Sequence, residues 1–384
     1  MCSLEVEKPL AEKSLTADQY RTRVRAESMY SIKDYEGKTV LVTGGAGAIG
    51  SNLTGALAAF CERVIVLDNL VSSTRRNLPN LSNVLFVEGD ILDEIKVKRC
   101  FFERPQIIFH LAASFANQNS VDHPEEDLMV NGMGTLKLME YSVLQGVDRF
   151  VFASSGCSVY GDNARLPLTE DKGASMYLRT PYQVTKMLGE LYANFFHHHH
   201  SLPVSKARLF NSYGPGEVPG QYRNVIPNFI YWALHGRPLP ITGSGEETRT
   251  FTWVGDVVDG LLRSGLHEAA IGQEFNLAGG WEISTRRLAE KINSLAGNKA
   301  GIQFVSRRKW DSKKRVSASV EKARKLIGYA PEADFDWGLA QTVQWFKDNW
   351  EWINATATFG PGISSAVREI RGQVDGIEEG FHGS

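Results

Sequence analysis

The sequence predicts an α/β protein in which a doubly wound parallel sheet is followed by a smaller α/β C-terminal lobe. Between residue 38 and about residue 210, short runs rich in β-branched residues alternate with helix-length segments, and a glycine-rich turn follows the first run. Strands separated by helix-length segments are typical of a parallel sheet covered by helices on both faces. The predicted strands are 39–43, 63–68, 84–88, 107–110, 149–154 and 204–210.

Composition limits the class of protein. With 384 residues, 42% of them hydrophobic and 22% charged, the chain can bury a large core as one large domain or two closely joined ones. A formal charge of -2 and a pI near 6.5 give no net field to attract nucleic acid or an acidic membrane. We find no apolar run of about 18 residues and no secretory leader, so a cytoplasmic location is expected. The four cysteines have no CxxC spacing, and no metal site is expected.

The glycine turn identifies a dinucleotide site. Gly44, Gly47 and Gly50 follow the first apolar run and lead into a helix predicted at 51–59. Such glycines allow a tight turn, close approach of the backbone to a pyrophosphate and close packing of helix on strand. Asp68 ends the second predicted strand, where a carboxylate accepts hydrogen bonds from adenosine ribose hydroxyls and repels a 2′-phosphate. The sequence therefore favours NAD over NADP, and we interpret the nearby Arg75 and Arg76 as solvated loop charges.

The organisation along the chain follows from this pattern. We predict a polar N-terminal extension at 1–37 with a helix-like patch around 16–29, and an NAD-binding Rossmann domain at 38–212. A lobe mainly for the substrate follows at 213–355, and a loosely attached glycine-rich tail occupies 356–384. The helices predicted in the lobe are 257–265, 284–296 and 319–327.

A tyrosine and a lysine in a TPYQVTK run predict redox chemistry. Tyr182 and Lys186 are four residues apart and so share one face of a helix. A lysine ammonium one turn away is expected to lower the pKa of the phenol, which then acts as a base closer to neutral pH. An isolated YxxxK pair is mostly structural, whereas one that follows a complete dinucleotide fingerprint indicates catalysis.

Over about residues 38–352, the chain resembles the nucleotide-sugar epimerase and dehydratase branch of the extended short-chain dehydrogenases. The matching segments are 43–50, 68–70, 89–91, 110–113, Asn131, 154–161, 182–186, 208–215 and 248–251. Together with the motifs, this resemblance implies NAD as the cofactor, held by Gly44, Gly47, Ala48, Ile49, Gly50, Asp68, Asn69, Asp90, Ile91, Leu111, Ala112, Ala113, Asn131, Tyr182 and Lys186.

The third catalytic group implied by the resemblance is a serine or threonine at the end of the fifth strand. Counting forward from the strand places Ser155 there, and counting back from Tyr160 places Gly156 there, because the loop carries one extra residue. Ser155 is favoured since the strand fixes its hydroxyl better than the loop does. A role for Ser158, or for no hydroxyl, stays open.

The residues of the same loop also distinguish between the reactions that members of the family catalyse. Its 4,6-dehydratases use an Asp-Glu pair in this loop and its decarboxylases use a glutamate, whereas this chain offers Gly156, Cys157 and Ser158. Family members that invert carbons 3 and 5 use a cysteine here with a distant lysine, so Cys157 keeps that reaction open, although the later loop 216–221 has no lysine. The favoured reaction is inversion at C4 through transient oxidation, and a non-catalytic NAD-binding relative is the remaining alternative.

The resemblance also implies the substrate and the assembly. A nucleotide-diphosphate sugar is the expected partner, without nucleic acid or membrane, and related proteins form a homodimer through helices near Asn131 and Tyr182. Arg315 is a further hypothesis, as a cation for a uronic acid. The implied substrate residues are Ser155, Asn211, Val225, Asn228, Arg249, Arg308 and Asp311. Neither the nucleotide base nor the sugar follows from the sequence.

Overall fold

The computed structural model describes residues 33–162, 165–172, 175–311 and 313–359. The predicted N-terminal patch at 16–29 and most of the predicted tail lie outside these residues. Within them the strands are β1 (Thr39–Thr43), β2 (Arg63–Asp68), β3 (Val84–Glu88), β4 (Ile107–His110), β5 (Arg149–Ser155), β6 (Val204–Leu209), β7 (Ser212–Tyr213), β8 (Leu239–Thr242), β9 (Thr248–Trp253), β10 (Glu274–Leu277), β11 (Trp281–Ser284), β12 (Ile302–Val305) and β13 (Arg315–Val316).

The helices follow the strands as expected for an α/β protein. In the same part of the chain they are α1 (Ala48–Ala58), α2 (Glu94–Phe102), α3 (Asn117–Asp122), α4 (Pro124–Asp127), a π-helix (Leu128–Gly134), α5 (Thr135–Gln145), α6 (Gly156–Val159), α7 (Pro181–His200), α8 (Val225–Leu234), α9 (Val254–Leu266), α10 (Thr285–Ala296), α11 (Glu321–Ile327), α12 (Phe335–Asp348) and α13 (Trp350–Thr356). Short 3₁₀ turns occur at Arg75–Asn77, Glu170–Lys172 and Glu268–Ala270.

Seven parallel strands form the central sheet in the order β10-β6-β5-β4-β1-β2-β3. Side chains alternate between its faces, as the period of two in a strand requires. Val40 and Val42 pack with Leu53 of α1 and Leu261 of α9. Leu41 packs on the opposite face in one cluster with side chains of α2, α5 and α7. Helices therefore cover both faces, which confirms the predicted doubly wound fold.

All six predicted strands are confirmed, with β5 one residue longer and β6 one residue shorter than predicted. The three predicted lobe helices correspond to α9, α10 and α11. The first helix begins at Ala48 rather than 51, because Gly47 is its N-cap and the end of the glycine turn is already helical. Strand β10 was not predicted, and its four residues add to β6 from within the predicted lobe.

The lobe has its own core and shorter strands. Aromatic residues of α8 and β9, including Trp232 and Trp253, pack with Leu288 of α10 and Phe346 of α12. Strands β11, β9 and β13 form one small sheet to which β7 is attached, and β8 pairs with β12. The predicted boundary at residue 212 stays a prediction, since α9 and β10 belong to the predicted lobe yet pack on the central sheet.

Candidate active site

A cleft of about 400 Å³ opens at the carboxyl ends of the central strands. Residues that end or follow β1, β2, β4, β5 and β6 line it, together with side chains of α7 and two loops of the lobe. In open parallel sheets, ligands bind at this edge because the strand-to-helix loops converge there. The cleft is thus in the place where the sequence motifs predict a site.

The glycine turn forms one wall of the cleft. Gly44 has φ +69°, and a Cβ atom there would lie 2.7 Å from the backbone nitrogen of Ala112. A Cβ atom at Gly50 would lie 2.1 Å from the carbonyl oxygen of Gly44, so only glycine allows α1 to approach the turn this closely. Gly47, the N-cap of α1, provides no side-chain capping bond, and Ala48 and Ile49 line the cleft. The first N–H groups of α1 are thereby available to a diphosphate.

Asp68 is held rigidly at the end of β2. Its Oδ2 accepts a hydrogen bond from Ala46 N (2.9 Å), and its Oδ1 accepts from Leu70 N (2.9 Å) and Ser73 Oγ (2.7 Å). These bonds aim the carboxylate at the cleft, which Asp68 lines. Arg75 and Arg76, the possible counter-charges, instead place their guanidinium groups 5.2 Å from the ring of Phe86 and 5.5 Å from the ring of Trp352.

Tyr182 and Lys186 lie on the first two turns of α7. The helix begins there because Pro181 occupies its first turn and the side chain of Thr180 accepts a hydrogen bond from Gln183 N. Tyr182 is 7% exposed and Lys186 is 5% exposed, and both line the cleft. Lys186 Nζ donates to the carbonyl oxygen of Ala153 at 2.9 Å and lies 5.7 Å from the centre of the tyrosine ring.

The pKa values of this pair differ from the expectation. Burial raises the pKa of Tyr182, and the charges of Asp127 and Cys157 act in the same direction. Burial lowers the pKa of Lys186 to about 8, against the opposing effect of Asp127. Desolvation of the phenolate therefore dominates, and the expected lowering of the phenol pKa by the lysine ammonium is not found. A lysine with a pKa of about 8 still carries its proton at pH 7, so its positive charge is in place.

The loop at 154–158, the serine loop, shows which of its positions has room for a side chain. A Cβ atom at Gly156 would lie 2.0 Å from the ring of Phe210, so this position has no room for a side chain. Ser155 and Ser158 both line the cleft, and Ser158 Oγ donates to Ser155 Oγ at 2.9 Å. Ser154 is directed away and donates to Glu190 Oε1 at 2.6 Å. Two bonded hydroxyls of this loop, rather than one, are therefore at the cleft that Tyr182 also lines.

Comparison with known proteins places the chain. The model of the NAD dependent epimerase/dehydratase family matches residues 40–278. A UDP-glucose 4-epimerase of Mycolicibacterium smegmatis is 37% identical over 311 residues, covering 80% of this chain and 98% of that protein. The chain belongs to the NAD-dependent epimerase/dehydratase family.

Related proteins differ in their activity. UDP-glucuronic acid decarboxylase 1 of Xenopus tropicalis is 30% identical over 353 residues, covering 90% of this chain and 81% of that protein. Among solved structures, the epimerase Mth375 of Methanothermobacter thermautotrophicus is 54% identical with a TM-score of 0.85, covering 87% of this chain and 99% of that one. This family member is therefore an NAD-dependent enzyme of the group that includes epimerases, decarboxylases and dehydratases.

NAD is the cofactor of the family, and the cleft fits it. The glycine turn leaves the space that a diphosphate needs, α1 presents uncapped N–H groups, and Asp68 stands where an adenosine ribose would lie. Bound NAD supplies the hydride acceptor. Of the residues predicted to hold it, the cleft is lined by Gly44, Gly47, Ala48, Ile49, Gly50, Asp68, Asn69, Asp90, Ile91, Leu111, Ala112, Ala113, Tyr182 and Lys186.

Asn131 is the exception among the predicted cofactor residues. It lies on the π-helix and is 3% exposed, and its Oδ1 accepts from Ser114 N at 2.8 Å. Its Nδ2 donates to Ser114 O and to Asp127 Oδ1. The side chain holds the loop after β4 from behind, so the structure does not provide the direct cofactor contact that was predicted.

The predicted substrate residues divide into two groups. Ser155, Asn211, Val225 and Arg308 line the cleft. The other three are absent from its lining, and their polar atoms bond within the protein. Asn228 exchanges two hydrogen bonds of 2.9 Å with the backbone of Gly220, and Arg249 pairs with Asp311 at 3.1 Å.

Arg315 is also away from the cleft. Its guanidinium forms a two-bond ion pair with Glu282, at 2.6 and 2.8 Å, and its side chain is 60% exposed. The hypothesis that this arginine meets a sugar carboxylate is therefore not supported by its position.

Residues at the cleft, and Lys313 beside it, make contacts that the sequence did not indicate. Trp310 donates its indole N–H to Gln118 Oε1 at 2.8 Å, and the guanidinium of Arg308 lies 5.5 Å from the indole ring. Lys313 Nζ donates to the carbonyl oxygen of Cys157 at 2.6 Å. These contacts join positions more than 150 residues apart, as 192 and 156 residues separate the bonded pairs. Further lining residues that were not predicted are Ser73, Phe115, Glu217, Tyr222 and Arg223.

Among the described residues, no group of three or more His, Cys, Asp and Glu side chains is placed to hold a metal ion. No helix in that part of the chain combines the length and apolar character needed to cross a membrane.

Proposed function

We propose that this protein is an NAD-dependent epimerase of a nucleotide-diphosphate sugar that inverts C4 through a transient 4-keto sugar. The observation that carries the proposal is the convergence of Tyr182, Lys186 and Ser155 at the cleft beside the glycine turn. The similarity to a UDP-glucose 4-epimerase supports the same activity.

Each side chain has a role that follows from its geometry. Tyr182 acts in its phenolate form, which would take the proton of the C4 hydroxyl as the hydride leaves C4 for the bound cofactor. The phenol would return that proton after the keto sugar has turned its other face. The Ser155 hydroxyl, which accepts a hydrogen bond from Ser158, polarises the C4 oxygen. Lys186, fixed by Ala153 O, places its positive charge 5.7 Å from the centre of the Tyr182 ring.

The carboxylates near the reacting atoms argue against elimination and decarboxylation. In the described residues, the carboxylate that influences the pKa of Tyr182 is Asp127. Its two oxygens accept hydrogen bonds from Thr185 Oγ1 (2.7 Å) and Asn131 Nδ2 (2.9 Å), and it does not line the cleft. The serine loop itself carries no acid. A dehydratase needs a general acid for the departing hydroxyl, and this site offers none at that position.

The test is incubation of the purified protein with UDP-, GDP- and dTDP-sugars, followed by anion-exchange separation of the products. Epimerisation is expected for at least one pair of C4 epimers, with no carbon dioxide and no 6-deoxy-4-keto product. Substrate deuterated at C4 should retain its deuterium in the epimer, because the same hydride is removed and returned. Release of carbon dioxide, or accumulation of a 4-keto product, would contradict the proposal.

A second candidate is inversion at C3 and C5, and one observation favours it. The sequence showed no lysine to accompany Cys157, yet Lys313 is bonded to the Cys157 carbonyl and burial lowers its pKa. An acid and a base on opposite faces of a 4-keto sugar would exchange the C–H protons at C3 and C5 with solvent. Reaction in deuterium oxide separates the two candidates, because only this second one incorporates solvent deuterium at C3 or C5.

We also propose that the protein is a homodimer. The π-helix and α7 lie together and expose apolar side chains along their length. On α7 the exposed residues Val184, Leu191 and Phe195 recur at intervals of seven and four, which places them on one face. Leu128 and Met129 extend the patch from the π-helix. Light scattering should give twice the chain mass, and Leu191→Glu with Phe195→Glu should give the monomer.

A further inference from the structure

One segment of the lobe lies against the cofactor half of the cleft. Residues 215–224 join β7 to α8, and Glu217, Gln221, Tyr222, Arg223 and Asn224 of this segment line the cleft. The glycine turn and the loop after β2 line the same cleft, so NAD would lie between them and this segment. Cofactor binding is thus shared between two parts of the chain that the sequence assigned to different domains.

Two asparagines join the segment to the cofactor turn. Asn52, on α1, donates from Nδ2 to Ala48 O (2.8 Å) and to Pro215 O (2.9 Å). Asn77 donates from Nδ2 to Ala46 O (3.0 Å) and to Gly216 O (3.0 Å). In each case one amide group bridges a carbonyl of the glycine turn or of α1 and a carbonyl of the lobe segment.

Arg223 makes a third connection, which runs from the segment to the loop after β2. Arg223 belongs to the segment itself, and its guanidinium donates to the carbonyl oxygen of Ser72 in the loop after β2. The charges of Glu217 and Asp68 both act on it, in opposition to the effect of burial, which lowers its pKa. Arg223 therefore lies close to the carboxylate that is expected to hold the adenosine ribose.

Further hydrogen bonds hold the segment to itself and to neighbouring parts of the chain. Glu217 Oε1 accepts from Asn224 Nδ2 at 2.8 Å, and Asn228 is bonded to both backbone groups of Gly220. Gln221 N donates to Thr358 O at 3.1 Å, which connects the segment to the chain that follows α13. A segment held in this way moves as a unit rather than residue by residue.

We propose that residues 215–224 form a clasp that retains NAD, fastened to the glycine turn and α1 by Asn52 and Asn77 and to the loop after β2 by Arg223. Release of NAD requires the clasp to open, and opening breaks the bonds to Pro215, Gly216 and Ser72. The clasp belongs to the lobe that continues into Val225 of the substrate half, so tight cofactor retention depends on the lobe and not on the sheet alone. A reaction cycle that removes and returns one hydride requires such retention, since NAD is not consumed.

The experiment measures the rate at which holoenzyme loses NAD. Protein loaded with radiolabelled NAD is chased with excess unlabelled NAD, and the label that remains bound is followed by filtration. The variants are Asn77→Ala and Arg223→Ala. The matched control is Asn83→Ala. Asn83 Nδ2 also bridges two carbonyls, Ala58 O (2.9 Å) and Cys61 O (3.0 Å), but both belong to the predicted NAD-binding domain.

We expect the dissociation rate of NAD to rise about tenfold in each clasp variant and more in the double variant, and to change less than twofold in Asn83→Ala. Rates in both clasp variants that match the control would overturn the proposal. If Asn77→Ala does not fold, Arg223→Ala decides the result alone, because its bond to Ser72 is at the surface. No sugar substrate enters this measurement, so its outcome is independent of the proposed reaction.

Discussion

The two halves of the cleft are built in different ways. The cofactor half consists of strand ends, a glycine turn and one helix N-terminus, and its important contacts are made by the backbone. The substrate half includes lobe loops, where Arg308 and Trp310 line the cleft, and the side chains of Trp310 and Lys313 bond to distant parts of the chain.

This difference explains why the cofactor residues could be predicted from the sequence better than the substrate residues. Backbone contacts need particular glycines and a regular sheet, and nearly all of the predicted cofactor residues line the cleft. Side-chain contacts depend on which loops meet. Three of the seven predicted substrate residues instead bond to other parts of the protein, as Asn228 does to Gly220 and Arg249 to Asp311. The following changes separate the halves, in order of decreasing effect.

Tyr182→Phe should have the largest effect and leave the cofactor half intact. Loss of the hydroxyl removes the proton acceptor, and kcat should fall about 10³-fold, within the range typical of general acid–base catalysis. NAD retention should stay within about twofold of wild type, because the ring and its packing on Phe115 are kept. Steady-state kinetics on the epimerised sugar measures the loss, and Tyr177→Phe, at an exposed tyrosine, is the control.

Arg208→Ala tests the buried ion pair that joins β6 to α7. Arg208 donates two bonds to Glu190, at 2.9 and 2.7 Å, and one to Tyr160, and both charged residues are 4% exposed. Removing the cation leaves Glu190 buried without its partner, and the free energy of unfolding should fall by about 3–5 kcal/mol. Arg315→Ala, which breaks the exposed pair with Glu282, should cost about 0–1 kcal/mol. Equal losses in denaturant titrations would contradict this reasoning.

Gly44→Ala should damage the cofactor half alone. The methyl group would meet the backbone of Ala112 at 2.7 Å in addition to the strain of φ +69°. We expect NAD affinity to fall about a hundredfold, roughly 3 kcal/mol, as measured by calorimetric titration. Gly37→Ala separates strain from contact, since Gly37 has φ +72° and nothing within 4 Å of the added Cβ atom. The control should keep its NAD affinity and lose about 1 kcal/mol of stability.

Asp127→Asn should change the pH dependence of stability, which is the smallest effect. Burial raises the pKa of Asp127 from 3.8 to about 6. The folded chain thus holds this proton more tightly than the unfolded chain does, and the cost of burying the carboxylate appears as pH rises from about 4 to 6. Over that window the wild type should lose roughly 2 kcal/mol relative to the variant. Parallel unfolding curves at pH 4 and pH 7 would show that the carboxylate is not responsible.

Sequence reasoning succeeded wherever the determining residues are close along the chain. Gly44 to Gly50 form one turn, Asp68 ends its own strand, and Tyr182 and Lys186 are one helical turn apart, so local spacing fixes their relation. It failed for β10, a four-residue strand whose place beside β6 gives no local periodicity. The sequence favoured Ser155 over Gly156, but it could not show that the ring of Phe210, just after β6, leaves no room for a side chain at 156.

The amino-acid sequence by itself determined the parallel sheet, the cofactor turn and the tyrosine–lysine pair, since each depends on hydrogen bonds and side-chain periodicity within a few residues. Only the tertiary structure decided how the lobe meets the sheet. Lys313 reaches Cys157, Trp310 reaches Gln118, and Asn77 joins the glycine turn to Gly216, because two separate cores bring their loops together at the edge of the sheet. Packing between distant segments, rather than local spacing, sets these contacts.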